Sequence, residues 1–508
     1  MTSQKKVGLI AMPKQDLLRP PAAIPILAVA CEEFDIDYDF YDLNLWLYNN
    51  MDRNLWQQLD DNWIHFESDS QRDQPHFQLF LEKIEQFIDL LLADKVDFFT
   101  ISVFTNWSAH CTLELVKALN ARSERDKITI VIGGTGIQAP IDNMVKEPAV
   151  LCEWLLKNKL IDYYLYGEGE KIFRELLKGN TAEPGINNYD TVQIENLDQY
   201  PYPSYKKIDP YQYNYISWPE LAINGSRGCV RKCTYCDVAR YWPKYRFRSG
   251  ENIANELYNT WKTTKIHSFE FTDSLINGSL REFRSLNKTL IKLQQQDPEF
   301  RITYKGQFIC RSQGQFNEQD YQEMKQAGCN YLYVGVETFS ERVRYEMDKK
   351  FNNEDLDFHL RMCGKYHIPN AFLMITGYPT ETAEDHALNI AGLKKYQKYA
   401  QAGIINLITF GYTTAILENT PLERMQQQLE IIKEFEDFDQ TQNWVSLKNP
   451  DLTFNERVRR WIELVELASQ LSYNQPRIDT AVSLLKEKLT ISKTKKLFKL
   501  HQTVSQPC

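Results

Sequence analysis

Two hydrophobic periods alternate along most of the chain. Short apolar runs read as buried strands, and longer stretches with an apolar residue every three or four positions read as helices. In the first third, strands are predicted at 7–12, 36–41, 96–103, 128–132 and 161–166, with helices at 22–34, 76–93 and 109–120. Strands separated by helices imply a parallel sheet. The strand ends at 102–105 and 133–136 then gather at its carboxyl edge, where open α/β sheets bind ligands. No G-x-G-x-x-G fingerprint follows any strand, so a dinucleotide is not the favoured ligand. The stretch 49–74 is polar and contains tryptophan, and reads as a surface excursion with some helix.

The period is lost over 179–217, where Pro184, Pro201, Pro203 and Pro210 stand among many tyrosines. That composition predicts a linker wrapped on a domain surface. Alternation resumes with strands at 221–224, 268–272, 301–305, 331–336, 371–375 and 404–410. Helices are predicted at 252–262, 280–294, 318–327, 340–347, 355–366 and 382–399. Six strand–helix units are too few for a closed eightfold barrel and suit a partial one, with function at the carboxyl ends of the strands. Residues 426–508 read as mostly helical, most clearly over 456–472. The basic stretch 486–499 reads as a solvated helix face first and a docking surface second. The expected fold class is α/β. An N-terminal parallel-sheet domain (1–178) and the linker (179–217) precede a partial (β/α)6 barrel (218–425) and a helical C-terminal region (426–508).

Composition changes little in this picture. The 508 residues are 43% hydrophobic and 25% charged, as in ordinary globular proteins. A net charge of −9 disfavours a nucleic-acid partner. The longest apolar stretch, 22–31, is far short of a membrane span, and the apolar run near the N-terminus is too short for a signal peptide. A cytoplasmic protein without a membrane partner is expected. Seven of the ten cysteines (Cys31, Cys111, Cys152, Cys310, Cys329, Cys363 and Cys508) are scattered singly and read as buried small hydrophobes, not a disulfide framework.

The remaining three do change it. Cys229, Cys233 and Cys236 stand in Asn224-Gly-Ser-Arg-Gly-Cys229-Val-Arg-Lys-Cys233-Thr-Tyr-Cys236-Asp237, just past the first barrel strand. Three thiolates at this spacing let one loop wrap a metal centre. Zinc sites use paired cysteines with a second Cys or His pair downstream, and none exists here. Three ligands suit a 4Fe–4S cluster with one iron open to a ligand. Zinc stays as the lesser reading.

The C-x3-C-x2-C loop, with aromatic Tyr235 before the third cysteine, resembles the signature of the radical S-adenosylmethionine (SAM) superfamily. A six-unit partial barrel is that superfamily's fold. The resemblance implies that Cys229, Cys233 and Cys236 hold a 4Fe–4S cluster whose open iron binds SAM. One electron, from a donor such as flavodoxin or ferredoxin, then cleaves SAM to a 5′-deoxyadenosyl radical that abstracts hydrogen from a small-molecule or peptide substrate. Later stretches resemble the family's motifs in order. Phe269-Glu-Phe-Thr-Asp273 resembles the second-strand motif, although Asp273 also suits a helix N-cap. Arg311 follows the third strand, with chemistry that suits a carboxylate. Gly335-Val-Glu337 resembles the fourth-strand G-x-E. Gly377-Tyr-Pro-Thr-Glu381-Thr resembles G-x-P-x-E-T, with Glu381 also placed for a helix's first turn. Asn419-Thr-Pro-Leu422 resembles the closing G-T-P-L, and the basic Arg246-Phe-Arg248-Ser249 is either a family segment or a solvated turn. Tyr235, Asp273, Arg311, Glu337 and Gly377 are thereby set beside SAM.

The N-terminal third resembles the Rossmann-like domain of the superfamily's cobalamin-binding branch. The matching stretches are Arg19-Pro-Pro21, Ser102-Val-Phe-Thr105, Ile132-Gly-Gly134 and Tyr166-Gly-Glu-Gly-Glu170. Cobalamin would then be lined by Ser102, Phe104, Thr105, Trp107, Gly133, Gly134, Gly167 and Glu168, between the sheet edge and the barrel mouth. The D-x-H-x-x-G motif of the branch is absent, and His110 lies outside any such pattern. The favoured function is a cobalamin-dependent C-methyltransferase. A second reading is a radical SAM enzyme catalysing another rearrangement or a cyclisation, and a third is a non-enzymatic metal-binding protein. A methylthiotransferase is disfavoured, because Cys31, Cys111 and Cys152 do not match the N-terminal cysteines of that branch.

Overall fold

The computed structural model describes residues 5–13, 17–62, 73–145, 147–213, 218–433 and 441–476. They divide into two compact units, 1–223 with 255–270, and 224–254 with 271–508.

The first unit begins with β1 (Val7–Ala11), α1 (Ala23–Glu33) and β2 (Tyr38–Asp42), followed by α2 (Leu43–Asn50), α3 (Arg53–Asn62) and α4 (Pro75–Ala93). It continues with β3 (Phe98–Ser102), α5 (Asn106–Asn120), β4 (Thr129–Gly133), α6 (Leu151–Lys157), β5 (Tyr163–Leu165) and α7 (Gly169–Lys178). Its five strands pair in the order β2-β1-β3-β4-β5, all parallel. The central β1 (Val-Gly-Leu-Ile-Ala) is buried at every position because helices cover both faces, as its unbroken apolar run requires. Alternate side chains enter two cores. Ile10, Phe99, Ile101, Ile130 and Ile132 pack under α4 and α5, while Val7, Leu9, Phe98 and Val131 pack under α1 and α7.

The stretch between the two alternating regions is packed against the first unit. Ile186, Val192, Ile194, Leu197 and Ile208 are buried, and the Tyr213 hydroxyl donates to Asp42 over 2.7 Å. Arg19 bridges Glu220 and Glu270 at 2.6 and 2.7 Å, which gives the Arg-Pro-Pro stretch a structural use. In the polar excursion, α3 supplies the expected helix; residues 63–72 lie outside the described ones.

The barrel strands are β6 (Glu220–Ile223), β9 (Ser268–Phe271), β10 (Thr303–Phe308), β11 (Cys329–Glu337), β12 (Asn370–Ile375) and β13 (Ile405–Gly411). They form one sheet of order β13-β12-β11-β10-β9-β6 that does not close. A short antiparallel pair, β7 (Ser226–Arg227) with β8 (Arg246–Phe247), lies outside it. The helices between are α8 (Gly250–Thr264), α9 (Leu280–Gln296), α10 (Glu318–Gln326), α11 (Glu341–Glu346), α12 (Asn353–Tyr366) and α13 (Ala383–Gln401). Side-chain capping by Asn317, Asn352 and Thr382 fixes where α10, α12 and α13 begin.

The C-terminal region differs from the helical expectation. Its described part holds an antiparallel pair, β14 (Ile431–Lys433) with β15 (Trp444–Ser446), before α14 (Phe454–Gln470). Three-residue strands are too short to show a period, so the helical pattern around them prevailed. The basic stretch 486–499 lies outside the described residues. Among the described residues, no helix is long and apolar enough to cross a membrane.

Candidate active site at the cysteine loop

The cysteine loop is a closed ring of chain. The β7–β8 ladder pairs Ser226 with Phe247 and Arg227 with Arg246, and residues 228–245 bulge from it. The chain turns at Gly228 with φ +79°, where an added Cβ would lie 2.8 Å from the Lys244 carbonyl, so glycine is required. Asp273 holds the base of the ring. It is 4% exposed and accepts from the Gly225 N–H at 2.9 Å and the Ser226 hydroxyl at 2.5 Å. Burial pushes its carboxyl up to about 6, against those hydrogen bonds and the charge of Arg248. Arg248 is buried too, donating to the Asn224 carbonyl at 2.9 Å and gripping Asn252. The basic segment is therefore a brace and not a solvated turn. Asp273 caps no helix, since Ser279 caps α9.

Cys229, Cys233 and Cys236 are half-buried free thiols. The Arg231 N–H donates to Cys229 Sγ at 3.4 Å, and the Val238 N–H acts on the Cys236 thiol. Such donors stabilise thiolate sulfur and are among the levers that tune iron–sulfur clusters. Burial pushes Cys236 up to about 11 and raises Cys233, with the Lys349 ammonium opposing it at Cys233. A bound metal would take these protons' place. Among the described residues no three His, Cys, Asp or Glu side chains are gathered around a single ion. A four-iron cluster asks for less convergence, because each thiolate meets its own iron. Three half-buried sulfurs, two of them with N–H donors, fit that group.

Three distant parts of the sequence meet at the middle of the loop. The Thr234 N–H donates to the Met347 carbonyl at 3.2 Å, past the end of α11. Its hydroxyl lies 2.9 Å from that of Tyr378, in the G-x-P-x-E-T segment. Its carbonyl accepts from the Leu422 N–H at 2.8 Å, in the N-T-P-L segment. Tyr235 packs beside these contacts on the cluster of Val343, Met347, Tyr378, Ile416 and Leu422. The aromatic residue before the third cysteine thus anchors the loop in apolar surface.

Glu337 ends β11 at φ +65°, a left-handed conformation rarely taken by glutamate, beyond a register shift in the β11–β12 pairing. Its carboxylate meets the Lys349 ammonium at 2.8 Å, and both side chains are 8% exposed. Lys349 also reaches the Tyr235 hydroxyl at 3.4 Å. Gly335 makes room for the pair, because a Cβ there would lie 2.5 Å from Glu337 Oε1 and 2.9 Å from Lys349 Nζ. Lys349 belongs to none of the motifs read from the sequence.

Arg311 lies across the loop. It donates to the Asn277 and Gly278 carbonyls at 2.9 and 3.3 Å, and its Nε is buried without a partner. Burial and then the nearby Arg231 charge lower its pKa, while Cys229 opposes them. Gly377 is explained by packing: with φ +74° it lets Arg457 of α14 cross its Cα, where any Cβ would clash. Its N–H donates to Glu381 at 2.9 Å, and Glu381 pairs with Arg460 of α14 at 3.0 Å, buried on both sides. Glu381 therefore fastens the C-terminal helix, while Asp385 completes the cap of α13.

At the N-terminal sheet edge, Phe104 and Trp107 are 60% and 41% exposed. Thr105 caps α5, and Thr135 ties back to the Phe104 carbonyl. Gly134 passes so close over the Val103 carbonyl that a Cβ would collide. Ser102 and Gly133 end adjacent paired strands. Gly167, with φ +106°, packs on Val192, and buried Glu168 accepts from the Ile194 N–H at 2.6 Å, so these two hold the linker. An open edge with two exposed aromatic rings and a glycine-tight floor fits one face of a flat macrocycle. His110 is buried on α5.

Residues 223–389 match the family model of the Radical SAM superfamily. The chain carries a radical SAM domain there. Among solved structures, it superposes on the radical SAM methyltransferase TsrM of Kitasatospora setae, solved with cobalamin and a [4Fe-4S] cluster. The TM-score is 0.64 over 95% of this chain and 94% of that one, at 16% identity. It also superposes on the cobalamin-dependent SAM radical enzyme OxsB with aqua-cobalamin bound. There the TM-score is 0.63 over 87% of this chain and 64% of that one, at 15% identity. At such identities the likeness is one of fold. A curated relative, an uncharacterized methyltransferase of Pyrococcus horikoshii, is 25% identical over 59% of this chain and 64% of its own length. The anaerobic magnesium-protoporphyrin IX monomethyl ester cyclase of Synechocystis is 25% identical over 23% of this chain and 27% of its own length. The chain thus spans less than two thirds of these curated relatives.

Proposed function

We propose that this chain is a cobalamin-dependent radical SAM methyltransferase acting on carbon in a small molecule or peptide. The observation that carries the reading is the ring of residues 228–245, which holds three half-buried thiols, two of them with N–H donors at sulfur, and is pinned at Thr234 by two family motifs. Cys229, Cys233 and Cys236 would hold the 4Fe–4S cluster. When bound, the cluster supplies one electron for cleaving SAM, and cobalamin supplies a methyl carrier. Arg311, with its unpartnered buried Nε, would receive the SAM carboxylate. Tyr235 and the Thr234 contacts hold the loop in place. Phe104 and Trp107 would cover a corrin face. The names of the Pyrococcus relative and of TsrM favour methyl transfer.

Ring formation without methyl transfer is the second reading, and the cyclase relative favours it. Methylthiotransferases also occur among the relatives, one from Methanocaldococcus jannaschii being 23% identical over 46% of this chain. Cys31 and the Cys111–Cys152 pair lie in cores on opposite faces of the sheet here, so they cannot gather at a second cluster.

The test is anaerobic reconstitution with iron and sulfide, then with hydroxocobalamin. About four irons per chain and 5′-deoxyadenosine on reduction with SAM support the radical SAM reading. Protein that takes zinc and forms no deoxyadenosine refutes it. A corrin band that survives gel filtration supports methyl transfer. Its absence from iron-loaded, SAM-cleaving protein removes cobalamin and leaves the cyclisation reading.

A further inference from the structure

The family motifs leave one buried charge near the cysteines without a role. Lys349 follows α11, and the chain takes a costly path to place it. Asp348 and Lys350, on either side, have φ of +59° and +54°, and Glu337 facing them has +65°. Three non-glycine residues in the left-handed region converge on one ion pair, and backbone strain of this kind persists where a site demands it. The pair is itself a poor source of stability, because desolvating two charges offsets most of their attraction. Even the floor is shaped for it, through the missing Cβ of Gly335.

The ammonium points at the cysteine loop. It lies 3.4 Å from the hydroxyl of Tyr235, whose neighbours in sequence are Thr234 and Cys236, and the same stretch binds the Met347 carbonyl through the Thr234 N–H. Burial works against the Lys349 charge, yet Glu337 and then Cys233 outweigh it and raise its pKa. Its N–H donors reach the Glu337 carboxylate at 2.8 Å and the Tyr235 hydroxyl at 3.4 Å.

We infer that Lys349 is a positioning residue that sets the reduction potential of the cluster and holds the Glu337 carboxylate in its left-handed pose. This rests on the cluster assignment proposed above. The step concerned is a one-electron reduction. One electron leaves a low-potential donor of the flavodoxin or ferredoxin class and enters the cluster, with no bond made or broken. A fixed positive charge against the cysteine loop at Tyr235 favours the reduced, more negative cluster, and so raises its potential.

The test is an EPR-monitored redox titration of the reconstituted protein, with iron counted on every sample. Lys349→Met should move the midpoint negative by at least a tenfold change in the reduction equilibrium, about 59 mV for a one-electron couple. Lys349→Arg keeps the charge and should stay near the wild type. The double variant Glu337→Gln/Lys349→Met leaves no lone buried charge. Its midpoint should fall between wild type and Lys349→Met, because the nearer charge is lost. An iron-loaded Lys349→Met protein with the wild-type midpoint overturns the inference. So does loss of iron from both neutral variants while Lys349→Arg loads fully, since Lys349 is then only scaffold. A wild-type protein that takes up no iron fails the cluster assignment instead.

Discussion

Replacing Arg460 with methionine removes one half of a buried ion pair and strands the other. Arg460 and Glu381 are 5% and 1% exposed and 3.0 Å apart. Arg460 also donates to the carbonyls of Glu381 and Thr382 at 3.3 and 3.0 Å. After the change Glu381 keeps the Gly377 N–H, at 2.9 Å, for its buried carboxylate. Stranding a buried charge costs about 3–5 kcal/mol. At about 1.36 kcal/mol per decade, that is roughly 150- to 5,000-fold more frequent opening of α14 from the barrel. Hydrogen–deuterium exchange of peptides covering Phe454–Gln470 reads this directly. Glu381→Gln/Arg460→Met should recover most of the protection, since the net contribution of such a pair is small and the cost lies in the lone charge. Unchanged exchange in α14 of Arg460→Met, or a double variant no better than the single one, would show that Glu381 does not fasten this helix.

Three further outcomes follow from the same geometry. Gly335→Ala sets a Cβ 2.5 Å from Glu337 Oε1, and should lower thermal stability by about 1–3 kcal/mol and reduce iron loading; full loading at the wild-type melting temperature contradicts it. Asp273 has its folded pKa raised to about 6, above the unfolded value of about 3.9. The folded state therefore holds the proton more tightly, and stability present below pH 4 is lost as pH rises toward 6, by roughly 3 kcal/mol. The stability difference between Asp273→Asn and wild type should change with pH over that window in urea denaturation, and a pH-independent difference refutes the assignment. Phe104→Ala/Trp107→Ala alters two exposed side chains, so stability should stay within about 0.5 kcal/mol. Hydroxocobalamin retention should fall at least tenfold, and undiminished retention places the corrin elsewhere.

Much of the fold is legible because both sheets are built from apolar runs separated by helices of clear period. β1 and β3 are short apolar runs buried on both sides, and they could not be read otherwise. The cysteine loop is legible for a chemical reason, since three thiols at that spacing have few other uses. What could not be read is which polar group meets which. Asp273, Glu381 and Glu168 stand at strand ends, as ligand-binding residues do, yet each carboxylate meets a partner within the fold: Gly225 and Ser226, Arg460, and Ile194. Lys349 lies 12 residues beyond Glu337 and belongs to none of the motifs read from the sequence, and the chain's left-handed turns bring it inward. The β14–β15 pair escaped because three-residue strands carry no period.

The central claim is that Cys229, Cys233 and Cys236 hold a four-iron cluster with one iron open to SAM. EPR of the anaerobically reconstituted, reduced protein, recorded with and without SAM, tests it most directly. About four irons per chain are expected, with a reduced-cluster signal that changes shape when SAM is added, and both are lost in Cys233→Ala. A signal indifferent to SAM, or an iron count and spectrum that survive Cys233→Ala, would contradict it.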